Sequence, residues 1–103
     1  MALTQISRIA STTGDTWQTI ITGPANVTSL TMSARSLGET RVAVALKKDD
    51  PPGIAYIVPG DALREGASAR LRLPSIVLEE NDELQVRSSG LVDWIASAVT
   101  IIS

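Results

Sequence analysis

Residues 77–86 read VLEENDELQV, with Glu79, Glu80, Asp82 and Glu83 crowded around Asn81. Three readings compete for such a stretch: a calcium loop, a catalytic acid pair and a tight turn. An EF-hand type of loop needs oxygen ligands at alternating positions, a central Gly and a distal bidentate Glu. Here the acids are contiguous, no Gly is present, and strand-forming residues resume at Leu84. A glycosidase pair needs two carboxylates about 5–10 Å apart across a concave site. Neighbours on one turn do not face each other in that way. The stretch therefore reads as a turn with solvated acids, joining residues 76–78 and 84–86 as the two arms of a hairpin.

The same strand-and-turn pattern continues on both sides. Turn-forming clusters recur as TTGD (12–15), TGPAN (22–26), SLGE (36–39), DDPPG (49–53), PGD (59–61), EGAS (65–68) and SSG (88–90). Between them lie short runs rich in Val, Ile, Thr and Leu, the spacing of a sandwich or small barrel. Alternation is explicit in ETRVAVALK, where Val42, Val44 and Leu46 share one face and Arg41, Ala43, Ala45 and Lys47 the other. Leu84 and Val86 oppose Glu83, Gln85 and Arg87; Leu30, Met32 and Ala34 oppose the hydroxyls of Ser29, Thr31 and Ser33; Leu71 and Leu73 oppose Arg70 and Arg72. Period two of this kind marks half-buried strands. The expected fold is all-β: one antiparallel β-sandwich domain over residues 1–103, jelly-roll-like, with about seven or eight strands. Residues 1–15 are expected as an extended N-terminal arm. At most one helical turn is expected, in PGDALREGA, with Asp61 as N-cap and Gly66 ending it.

Composition narrows the chemistry. Hydrophobic residues make up 44% and charged ones 19%, and the net charge is −2. That is a globular balance with no electrostatic case for nucleic acid. Without Cys or His there is no disulfide, no thiolate site, no imidazole ligand and no Ser–His or Cys–His pair. No apolar run is long enough to span a bilayer, and the N-terminus lacks a signal-peptide core. A soluble protein made in the cytoplasm is expected.

The remaining candidates read as structure. Asp49 and Asp50 precede Pro51-Pro52-Gly53 and form a turn rather than a cation cage. Arg64, Arg70 and Arg72 read as solvated strand-face residues, or as partners of a neighbour's acids, lacking the charge excess and aromatic platforms of a nucleic-acid groove. No GxSxG or SxxK occurs, and Lys47 and Lys48 sit beside an exposed turn where desolvation would not activate them. Trp17 reads first as core or interface, and otherwise as a sugar-stacking platform. No catalytic, metal-binding or cofactor-binding residue is assigned, and the chain is expected not to be an enzyme.

Two runs are apolar on both faces: GIAYIV (53–58) and LVDWIASAVTII (91–102). A thin sandwich covers one face of each strand, so a second apolar face is expected to meet a partner. The interface candidates are Val92, Trp94, Ala96 and Ala98 on one face of the terminal strand, with Ile54 and Tyr56; Ile95, Val99 and Ile101 lie on the opposite face.

The order of a hydroxyl-rich strand (ANVTSLTMSA), an alternating strand (TRVAVALKKDD), a short apolar strand (GIAYIVP), an amphipathic stretch (ARLRLPSIVLEENDELQV) and a terminal apolar strand (LVDWIASAVTII) resembles small β-sandwich virion structural proteins of tailed bacteriophages. The likeness runs from Trp17 to Ile102 and rests on pattern, so it transfers no functional residue. It implies a virion location and self-association together with contacts to other virion proteins. The role implied is that of a capsid decoration or cement protein, or another head-surface component. A neck or tail/fibre accessory role is the alternative within that group. A carbohydrate-binding sandwich using Trp17, Trp94 or Tyr56 is the alternative outside it.

Overall fold

The computed structural model describes the backbone of residues 2–35, 39–63, 68–71 and 76–102, and the side chains of 4–35, 39–57 and 76–100. Among the described residues nine strands are bounded: β1 (Ala2–Thr12), β2 (Gln18–Thr22), β3 (Ala25–Ala34), β4 (Thr40–Lys48), β5 (Gly53–Leu63), β6 (Ser68–Leu71), β7 (Ile76–Leu78), β8 (Glu83–Ser88) and β9 (Val92–Ile102). Sheet I runs β1-β9-β3, with β6 and β7 both on the far edge of β3. Sheet II runs β2-β8-β4-β5. The two segments on β3 share one sheet position, so the strands occupy eight positions in two layers. The described residues contain no helix, hence none long and apolar enough to cross a membrane.

The pairings follow one rule. Lys48 faces Gly53, Leu30 faces Leu71, Ala25 faces Leu78, Gln18 faces Val86, Thr12 faces Val92 and Ala2 faces Ile102. Each strand is thus antiparallel to the one equally far from residues 49–52. The chain is one long hairpin whose tip is DDPPG and whose two legs roll together into two sheets. That is the jelly-roll arrangement, and it explains why the termini end side by side in β1 and β9.

Three expectations change here. Residues 2–12 are not a free arm, because β1 pairs with β9 along its whole length. The helical turn is absent over 59–63, which continue β5, and its remainder at 64–67 lies outside the described residues, as do Arg64, Arg72 and Leu73. The 79–82 turn forms as read, with Asp82 N–H donating to the Glu79 carbonyl at 3.0 Å and Asn81 at φ 67°. It does not close a hairpin, however: β7 pairs with β3 in sheet I, whereas β8 pairs with β2 and β4 in sheet II. The turn carries the chain from one layer to the other.

The crossing beside it runs the opposite way, from β2 to β3, through a cis Gly23-Pro24 bond. Gly23 N–H donates to the Asp82 carbonyl at 2.8 Å. A Cβ on Gly23 would overlap the Glu79 carbonyl oxygen and lie 2.9 Å from Leu78 Cβ, so only glycine lets the two crossings touch.

The core lies between the layers. Val27, Leu30, Met32, Val92, Trp94 and Ala96 from sheet I meet Ile21, Val42, Val44, Leu84 and Val86 from sheet II. Register shifts at β2 and β3 adjust the strict alternation, so that Ile20 and Ile21 are both buried and Val27 and Leu30 both point inward. Trp94 is fully buried. Removing about 150–250 Å² of indole surface from water favours folding by roughly 4–6 kcal/mol. Its Nε1–H donates to Thr12 Oγ1 at 2.8 Å, and the Thr12 hydroxyl bonds Ser88 Oγ, which in turn donates to the Gly90 carbonyl at 2.6 Å. This buried relay joins β1, β9 and the end of β8.

Candidate interaction surfaces

Period-two strands leave each sheet an outer face. On sheet I the register places Ile9 opposite Ile95 and Ile95 opposite Thr31, with Ser7, Ser97 and Ser29 one step away. On the next row Gln5, Val99, Asn26 and Val77 follow one another across the sheet. Ile9, on edge strand β1, is 80% exposed and Ile95, on β9, 48%; they give this face an aliphatic patch among hydroxyls, on a row that the register continues through Thr31 to Arg70 of β6. Among the described residues of β1, β9 and β3 the one charged residue that alternation places on this face is Asp93, at one end; Arg8 alternates to the other side of edge strand β1, where it is exposed. Arg35 neutralises Asp93 through Nε at 2.7 Å and Nη2 at 3.1 Å, and Ser11 Oγ adds a 2.7 Å hydrogen bond. A shallow depression of about 560 Å³ opens between Ile9, Ser11, Gln18, Asp93 and Ile95. Its lone carboxylate is held in the ion pair, so it offers no free acid or base.

The interface expected on the terminal strand is therefore on the wrong face. Val92, Trp94, Ala96 and Ala98 are all buried in the core, and the exposed side of β9 carries Ile95. The physical reason is the indole. Once β9 is central in its sheet, the alternate set containing Trp94 gains most by facing inward, and Ile95 must then point out. Ile54 and Tyr56 are exposed, at 61% and 55%, on edge strand β5 of sheet II.

Sheet II has a different outer face. Ala43 and Ala45 point outward on β4, yet both are buried. Ala45 lies between Gln85 and Tyr56, and Ala43 beside Arg87. Trp17 precedes β2 at the opposite edge from Tyr56, a span of three strand spacings or roughly 14 Å. The two rings nevertheless approach to 5.9 Å, tilted by 45°, so they reach toward each other over the alanines. The Arg87 guanidinium carbon lies 4.6 Å from the Trp17 ring centroid, a cation–π contact. Beside the rings, Gln85 Nε2 donates to Thr19 Oγ1, which donates to Glu83 Oε1 at 2.6 Å, and Lys47 stands 3.8 Å from Glu83.

The acids of the opening stretch divide. Glu79 and Glu80 are exposed, but Asp82 is buried, contrary to the expectation of solvated acids. Its carboxylate accepts from Lys48 Nζ at 2.7 Å, Asp49 N–H at 3.0 Å and Glu79 N–H at 2.9 Å. The Lys48 hydrogen bond and then the two backbone donors hold the Asp82 carboxyl below the usual carboxylate range. The same bond raises Lys48 above the ordinary lysine value. Asp82 thereby fastens the hairpin tip to both sheet crossings. Among the described residues no three His, Cys, Asp or Glu side chains gather as a metal cage.

Sequence alternation could have identified Ile9, which shares a face with Gln5, Ser7 and Ser11 and breaks their polarity. Arg87 and Asp82 carried no such signal, since their partners are 70 and 34 positions away in the chain. No protein-family model matches the chain, and no curated protein is similar to it in sequence.

Proposed function

We propose that this chain is a non-enzymatic structural protein of a tailed-bacteriophage virion, acting on the head surface as a decoration or cement protein. In this reading it associates copy to copy through the outer face of sheet I. The observation that carries it is the Ile9–Ile95 pair, exposed side by side on the β1–β9–β3 part of the face, where the outward-facing Asp93 is paired with Arg35. Soluble monomers seldom leave such aliphatic strips open, and charge depletion marks the centre of interfaces. A second copy suits the Ile9–Ile95 strip because an aliphatic and hydroxyl patch is self-complementary, and the Asp93–Arg35 pair beside it carries no net charge. The molecule is a slab of 46 × 27 × 20 Å, whose broad side exceeds the ~800 Å² per partner of a standard interface. The rolled-hairpin architecture, and the resemblance of the strand pattern to small virion sandwiches, support the same reading.

The test is light scattering over a concentration series, with Ile9→Asp alongside the wild type. The wild type is expected to form a discrete oligomer and Ile9→Asp to remain monomeric with an unchanged fold by circular dichroism. A wild type that stays monomeric at high concentration, and is absent from purified particles, refutes the reading.

A further inference from the structure

The Trp17–Tyr56–Arg87 shelf on sheet II takes no part in the assembly face, which lies on the opposite layer. We infer that this shelf is a binding site for a carboxylate-bearing saccharide, a pyranose of the uronic-acid kind. Tyr56 is more than half exposed although it touches Trp17, so an aromatic surface stays open to a ligand. Such a surface suits the apolar C–H face of a sugar ring, whose hydroxyls need hydrogen-bonding groups alongside. Gln85, in register with Ala45 and through it with Tyr56, keeps its amide oxygen and second amide hydrogen for a sugar hydroxyl, its first hydrogen going to Thr19 and the Thr19 proton to Glu83.

The charge of the ligand follows from Arg87. Its guanidinium lies over the Trp17 ring and makes no ion pair among the described residues. A guanidinium held over a ring by its charge keeps N–H groups that the ring does not use, and a guanidinium can take a carboxylate bidentately. Ala43 and Ala45 keep the floor beneath low, since longer side chains there would fill the space the rings span. The Lys47–Glu83 pair borders the shelf closely. A broad protein partner would have to bury that pair, whereas a sugar would not. That contrast favours a small ligand over a docking protein.

The test follows tryptophan fluorescence during titration with a trigalacturonate, and with its methyl ester as the matched uncharged probe. Wild type is expected to show a saturable change with the acid and at least roughly tenfold weaker binding of the ester, as loss of a charge-assisted contact predicts. Arg87→Gln should weaken the acid to the level of the ester, Tyr56→Ala should abolish both, and Ile9→Asp should change neither. Thermal melts of each variant confirm that it is folded. No saturable change with the acid, equal binding of acid and ester, or wild-type binding by Arg87→Gln each overturns the assignment. So does a Tyr56→Ala variant that loses oligomerisation without any sugar present, which would make the shelf a protein contact.

Discussion

The substitution Trp94→Phe isolates the buried relay from the bulk of the side chain that anchors it. Phenylalanine keeps an aromatic ring between the sheets but removes the Nε1–H that donates to Thr12 Oγ1. Thr12 and Ser88 are both buried, so water does not replace the lost donor. Leaving a buried acceptor short of its partner costs about 1–3 kcal/mol. The volume removed with the second ring adds roughly 1 kcal/mol of cavity term. The expected loss is therefore about 2–4 kcal/mol, large for a domain whose whole stability is about 5–15 kcal/mol. For a chain of this size that corresponds to a Tm lower by roughly 10–25 °C. The assay is urea unfolding followed by far-UV circular dichroism, in a cycle with Thr12→Val and the double variant. A coupling of about 0.5–3 kcal/mol between the two positions is expected if the bond acts as described. A single variant within about 0.5 kcal/mol of wild type, or additive single effects, refutes the role given to the relay.

Two further outcomes follow from the crossings. Gly23→Ala should strongly lower the denaturation midpoint, because its Cβ would overlap the Glu79 carbonyl and force apart the β2–β3 and β7–β8 crossings; an unchanged midpoint would show that the crossings can separate freely. The Asp82–Lys48 bond gives stability a pH dependence of defined sign. A depressed Asp82 contributes fully above the ordinary carboxylate value and loses that contribution as pH falls through its lowered value. Lys48, raised from 10.5, contributes fully below that value and loses it only as pH climbs through its raised value. Thermal melts of Asp82→Asn should therefore show the largest deficit to wild type at neutral pH and a shrinking deficit in acid. A deficit independent of pH would refute the ion-pair account.

The sequence by itself determined most of the strands and turns and the sidedness of most strands, although PGD (59–61), read as a turn, runs on within β5 and 1–15, read as an arm, hold β1. Alternating residues such as Val42, Val44, Leu84 and Val86 must share a face whatever their partners, and turn residues such as Asn81 and the prolines of DDPPG interrupt strands through local backbone preferences. These are short-range effects, carried within a few positions of the chain. The all-β class and the two-layer form follow from them.

Only the tertiary structure decided which strands pair and which face of a doubly apolar strand points inward. VLEENDELQV makes the turn its residues demand, but its arms enter different sheets, because the free edge of β3 takes Ile76–Leu78 while β2 and β4 take the segment after Asp82. The same local turn serves a hairpin or a crossing, and the choice rests on pairing with residues far away in the chain, such as Ala25 for Leu78 and Gln18 for Val86. In β9, alternation separates Trp94 from Ile95 without stating which is covered. Burial of the indole against sheet II settled that, and it moved the exposed apolar surface to Ile95 and to Ile9, its neighbour from the far end of the chain.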